Sequence, residues 1–216
     1  MKIKWLGWSS WLIKTGNKTI YIDPFKGNVK QKADIVLISH SHPDHCDAKQ
    51  LAKIRKASTV VLTPSAFAKN INAEPLDVGQ VKIIDGIEIL AVHAYNLKIP
   101  NHQKGVDTGY VIEAEGKKIY FAADTDVIKE MSYLKDIDLA LLPIGGTFTM
   151  DLDGAVKAVK TIKPKTVIPM HYGAIDVVFG GKPMHIEFKP DPKEFAEKVG
   201  NTAEVKILKP GQEINF

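Results

Sequence analysis

The chain has 216 residues, 44% of them hydrophobic and 25% charged, with a formal net charge of +4, the composition of a globular protein and not of a disordered or fibrous one. That length fits one domain spanning residues 1–216, or two closely fused halves, with no room for a large appended module. The positive residues are dispersed lysines with Arg55 as the only arginine, which argues against a nucleic-acid partner, because such sites cluster basic residues and lean on arginine forks.

The opening Met1-Lys2-Ile3-Lys4-Trp5-Leu6-Gly7-Trp8 has lysines but no sustained apolar stretch or small-residue cleavage site, and no later run approaches membrane-spanning length. A cytoplasmic protein without a membrane span is the expectation. Ile3-Lys4-Trp5-Leu6, Trp11-Leu12-Ile13-Lys14 and Thr19-Ile20-Tyr21-Ile22 read as three short strands with tight connections. The third ends at Asp23-Pro24, where a carboxylate is often only a turn former. Ala33-Asp34-Ile35-Val36-Leu37-Ile38 then reads as a buried strand.

That strand runs into Ser39-His40-Ser41-His42-Pro43-Asp44-His45-Cys46-Asp47. Three imidazoles and two carboxylates within eight residues sit badly as plain structure, since burying such groups without partners costs roughly a few kcal/mol each. A metal satisfies them, and imidazole with carboxylate suits zinc, iron, nickel and manganese-class ions. His40 and His42 can grip one ion from a loop leaving the strand, while Asp44 and His45 can turn to a second; the spacing predicts a two-metal site. Cys46, the single cysteine, excludes an internal disulfide, fits a reducing compartment and reads as a wall residue near the site.

Residues 48–56 have helical composition, Thr59-Val60-Val61-Leu62 is a further strand, and residues 66–70 form a short helix candidate. Val81-Lys82-Ile83-Ile84 and Ile87-Glu88-Ile89-Leu90-Ala91-Val92 are strands, the second running straight into His93. Residues 94–107 read as a long loop, a candidate wall of a substrate pocket, in which His102 could contact substrate although a lone loop histidine usually faces solvent. Residues 109–114 and 118–122 form a hairpin that ends at Ala123-Asp124-Thr125-Asp126, with Asp126 able to cap a following helix.

Asp138-Leu139-Ala140-Leu141-Leu142-Pro143-Ile144 is a buried strand leading to Gly145-Gly146, glycines that either permit a close backbone approach to a ligand or merely turn the chain. Residues 153–162 are amphipathic and helical, and Lys165-Thr166-Val167-Ile168-Pro169-Met170 is a strand that delivers His171. Residues 174–190, which carry His185, read as another pocket-shaping loop. A short helix over residues 192–199, a strand at Val205-Lys206-Ile207-Leu208 and a final turn close the chain. Two halves, each with several strands and flanking helices, suggest an α/β fold of two facing mixed sheets between helical layers.

The His-x-His-x-Asp-His string resembles the signature of the metallo-β-lactamase superfamily, and matching segments recur in order along nearly the whole chain. The resemblance implies a four-layer αββα sandwich. It also implies His40, His42 and His93 as ligands of one ion, Asp44, His45 and His171 as ligands of the other, Asp124 bridging the two, and Asp23 supporting the metal loop from behind. Ala123 stands where a Gly-Asp-Thr element commonly has glycine, and Trp8 where relatives often carry histidine. The later Leu-Leu-Pro-Ile-Gly-Gly and Ile-Pro-Met-His-Tyr-Gly strings are similar to those of small metal-dependent hydrolases akin to ascorbate-6-phosphate lactonase and N-acyl phosphatidylethanolamine phospholipase D.

The expected function is therefore a binuclear metal-dependent hydrolase, with two divalent ions, zinc foremost and manganese, iron or nickel also accepted. A hydroxide bridging the ions would attack a small ester, lactone or phosphodiester, and Asp44 would orient it and carry a proton to the leaving group. The alternatives are an iron-dependent oxidoreductase of the persulfide dioxygenase type on the same fold, or a nuclease. The expected partner is a small-molecule substrate, and the choice between monomer and homo-oligomer stays open.

Overall fold

The computed structural model describes residues 1–216, and two seven-stranded mixed sheets organise them. The chain divides into one unit of residues 1–77, 175–186 and 208–216, and a second of residues 78–174 and 187–207. In the first, β1 (Lys2–Gly7), β2 (Ser10–Thr15) and β3 (Lys18–Ile22) form an antiparallel meander. β4 (Ile35–Leu37), β5 (Val60–Thr63) and β6 (Glu74–Pro75) then continue the sheet in parallel.

Parallel pairing needs a crossover, and the chain here supplies α1 (Ala48–Ile54) and α2 (Ser65–Ala68). Leu51 and Ile54 of α1 bury against Leu12, Tyr21, Val36 and Val61 in one apolar cluster. Asp47 caps α1 by accepting a hydrogen bond from Gln50 N at 2.7 Å, which satisfies one of the orphan donors of the first turn. The change from antiparallel to parallel falls between β3 and β4. There Asp34 accepts from Thr19 N at 2.9 Å and from Lys56 Nζ at 2.7 Å.

The second unit repeats this plan. β7 (Val81–Ile84), β8 (Ile87–His93), β9 (Thr108–Ala114) and β10 (Lys117–Phe121) are antiparallel neighbours, and β11 (Leu139–Pro143) and β12 (Thr166–Met170) add to β10 in parallel. Asp138 stands at the foot of β11 as Asp34 stands at the foot of β4, accepting from Lys118 N and from Lys165 Nζ, each at 2.8 Å. The stripe Ala155, Val156, Ala158, Val159 and Ile162 of α3 (Leu152–Ile162) is buried in the unit's core together with Phe195 and Val199.

Several expectations change. Residues 174–190 are not a loop: β13 (Gly173–Phe179) and β14 (Lys182–Phe188) form a two-stranded ribbon. Gly180-Gly181 between apolar alternations is a two-residue hairpin signal that the glycine and proline content masked. No α-helix starts near Asp126; residues Lys129–Tyr133 make a 3-10 turn, and the Asp126 carboxylate instead accepts from Leu97 N at 2.7 Å. After α4 (Pro192–Val199), only β15 (Glu204–Val205) pairs where a strand to Leu208 was expected. A last strand, β16 (Glu213–Asn215), lies antiparallel to β1, where only a turn was expected. No helix is long and apolar enough to cross a membrane.

Candidate metal centre

In both sheets most of the residues of interest follow the C-terminal ends of parallel or switch-point strands, the place where open α/β sheets collect ligands. In the first unit, β3 ends at Asp23, fully buried and held at φ 44°, a conformation that a non-glycine residue keeps only when its surroundings determine it. The Asp23 carboxylate accepts from Ser39 N at 2.8 Å and Ser39 Oγ at 2.7 Å, and its Oδ2 lies 2.6 Å from His45 Nδ1. Burial pushes the Asp23 carboxyl above its ordinary value, although the contacts with His45 and Ser39 favour the charged form. Ser39 Oγ also lies 2.9 Å from His40 Nδ1.

These contacts decide which nitrogen each ring offers. With Nδ1 engaged behind them, His40 and His45 present Nε2: His40 Nε2 lies 3.1 Å from His42 Nδ1, and His45 Nε2 lies 3.8 Å from Asp44 Oδ2. An imidazole fixed through its far nitrogen by a carboxylate or hydroxyl is the arrangement that metal-ligating histidines need. Asp44 is itself fixed. Trp8 Nε1 donates to Asp44 Oδ2 at 3.0 Å and Ser9 Oγ to the Asp44 carbonyl at 3.3 Å. Trp8 in turn accepts at its carbonyl from Trp5 Nε1 at 2.9 Å and sits at φ 55°.

In the second unit, Ala122-Ala123 leads from β10 to buried Asp124, and Ala123 adopts φ 56°. That is a conformation glycine takes without strain, which accounts for glycine being common at this place. His171 Nε2 lies 3.3 Å from Asp124 Oδ2. His171 follows β12 at φ 57°, with the Phe188 ring stacked on its own at 5.8 Å. A Cβ on Gly145 would run into the His171 carbonyl oxygen and the Phe188 ring; this glycine is there for the close approach of these protein atoms.

His102 departs from expectation. It is 2% exposed, with Nδ1 2.7 Å from Asn96 Oδ1 and Nε2 3.6 Å from Asp124 Oδ2, so this loop histidine faces inward and not into solvent. His93 ends β8 half-buried, with its ring edge-on to Tyr95 at 6.0 Å. Its Nδ1 is buried without a hydrogen-bond partner. The groups able to hold a cation are His40, His42, Asp44 and His45 of the first unit and His102, Asp124 and His171 of the second. His185 lies on the exposed ribbon, its Nδ1 2.8 Å from Asp176 Oδ1. The donor set is nitrogen and carboxylate oxygen throughout, which fits zinc-class divalent ions.

Residues 2–171 match the β-lactamase superfamily domain family. A metal-dependent hydrolase of Thermococcus onnurineus is 39% identical, over 98% of both chains, and one of Pyrococcus abyssi is 36% identical over the whole of both. Among solved structures, the metallo hydrolase Igni18 of Ignicoccus hospitalis superposes with a TM-score of 0.80 at 27% identity, covering 100% of this chain and 97% of its own.

Proposed function

The chain belongs to the β-lactamase superfamily domain family, and from that membership and the anchored imidazoles we propose that it is a hydrolase working with two divalent cations, zinc foremost. Its relatives are metal-dependent hydrolases, and the proposal adds a binuclear site acting on a small ester, lactone or phosphodiester. His40, His42, Asp44, His45, Asp124 and His171 are the ligands in this reading. His102 takes the remaining imidazole place in preference to His93, because it is buried and aims Nε2 at Asp124.

The observation that carries the proposal is the engagement of Nδ1 of both His40 and His45 by Ser39 and Asp23. Such ions, when bound, lower the pKa of a water from roughly 16 toward neutrality and polarise the substrate oxygen. The chain's own residues do the rest. Asp23 and Ser39 keep the imidazoles in one tautomer and orientation. Trp8 holds Asp44 Oδ2, so that the Asp44 carboxylate orients the attacking water and then carries its proton toward the leaving group. Asn96 does for His102 what Ser39 does for His40.

Elemental analysis of protein purified without added metal tests this reading. About two zinc or manganese ions per chain are expected, falling toward one in His45→Ala and in His171→Ala. His102→Ala lowers metal retention by 10-fold or more while His93→Ala leaves it near the parent value. A single iron, unaffected by the His45 and His171 substitutions, overturns the binuclear hydrolase; loss on His93→Ala with none on His102→Ala restores His93 to the ligand set.

A further inference from the structure

Within the first unit, the β13–β14 ribbon borders a depression of about 650 Å³, in the size range of pockets that take a small molecule. Its walls are largely apolar: Phe25, Pro43, Val177, Val178, Pro183 and Met184. Val178 and Met184 are 55% and 46% exposed, which is hydrocarbon left open to water. Pro43 stands between His42 and Asp44, and Phe179 at the end of β13 packs edge-on to the His42 ring at 5.9 Å. The metal loop is thus itself one wall. A substrate reacting at His42 has this surface within reach of its other end.

The charges lining the depression narrow what fits. Two carboxylates face it, Asp47 and Asp176, and neither lysine nor arginine does. Asp47 is engaged at the α1 N-terminus and Asp176 with His185. Outside the lining, Lys26 places its Nζ 6.0 Å from the Phe25 ring centre. Cys46 adds one more wall residue to the depression. An anionic group entering here would meet two carboxylates, and the one basic side chain in the wall, His185, is already engaged by Asp176.

We infer that this depression receives the non-reacting arm of the substrate, and that the arm is a hydrocarbon group carrying no charge or a positive one. The inference rests on the reading that hydrolysis takes place at the metal loop, and it adds a substrate class. Esters, lactones or amides with an uncharged or cationic apolar arm fit; sugar phosphates and other substrates with an anionic arm do not.

N-phenyl-1-naphthylamine, a neutral fluorescent probe, titrated into the full chain with and without zinc tests the pocket apart from the metals. Saturable binding of about one probe per chain in both states is expected. On metal-free protein, where no ion can attract a carboxylate, octan-1-ol and octylamine displace the probe and octanoate is about threefold weaker or worse. Met184→Lys and Val178→Lys, both at exposed positions that do not threaten the fold, weaken probe binding by 10-fold or more. Probe binding unchanged in both variants, or octanoate as the best competitor, overturns the inference. A chain that passes this test but holds no ions keeps the pocket and removes the hydrolytic reading, so the two failures are distinguishable.

Discussion

Trp8, where the family resemblance implies a histidine, donates its indole N–H to Asp44 Oδ2. Its indole N–H is donor only, so it cannot hold a cation, but it can hold the Asp44 carboxylate proposed as a ligand. Trp8→Phe keeps the ring and removes the bond to Asp44 Oδ2. A buried hydrogen bond to a charged group contributes about 1.5–3 kcal/mol, so retention of the second ion is expected to fall by about 10-fold or more in competition with a chelator. The fold, followed by far-UV circular dichroism, stays intact. Unchanged metal stoichiometry and affinity in Trp8→Phe would reduce Trp8 to packing. This contact was not legible in the sequence, because it joins positions 36 residues apart and depends on the left-handed turn at Trp8.

At the scale of elements, the loop over residues 94–107 carries both Asn96 and His102, and something must keep it in place. Tyr95 OH donates to Glu130 Oε2 at 2.9 Å and Lys104 Nζ to Glu130 Oε1 at 2.8 Å, which ties both ends of the loop to the 3-10 turn of residues Lys129–Tyr133. Burial would raise the Glu130 pKa, but the bonds from Lys104, its own backbone N–H and Tyr95 outweigh it and bring the value down to about 2. A carboxylate whose folded pKa is depressed stabilises the fold above its unfolded value near 4.5. That contribution fades as pH falls from there toward 2. After allowance for solvent around Lys104 it is on the order of 1 kcal/mol. Glu130→Gln is therefore expected to lose that much stability at pH 7 and to flatten the denaturant midpoint between pH 5 and 2. A midpoint that falls with pH as steeply in the variant as in the parent would place the pH dependence elsewhere.

Across the whole molecule, one plan is used twice: antiparallel strands, an aspartate at the switch to parallel pairing, and functional side chains after the strand ends. Most strands and the three longer helices were legible because their apolar periodicity and turn residues are local signals. The His40 to His45 string was legible for the same reason. Part of what escaped depended on partners distant in sequence, since β16 exists only by pairing with β1 and His102 turns inward toward Asp124; the β13–β14 hairpin is local, and its glycine and proline content masked it. Side chains drawn from so many separate strand ends also give bound metal a thermodynamic consequence. Ions that bind the folded chain and not the unfolded one stabilise it by about 4 kcal/mol at 1,000 times Kd, and for a chain of this length each kcal/mol moves Tm by roughly 2–4 °C. Removal of metal by chelation is expected to lower Tm by about 10 °C, and stoichiometric zinc to restore it. In Asp23→Asn the restoration needs about 10- to 100-fold more zinc, because the neutral amide accepts from His45 Nδ1 without the carboxylate's charge that makes the imidazole a better ligand. An equal Tm with and without metal would mean that ordered loops, and not ions, hold the ligands in place.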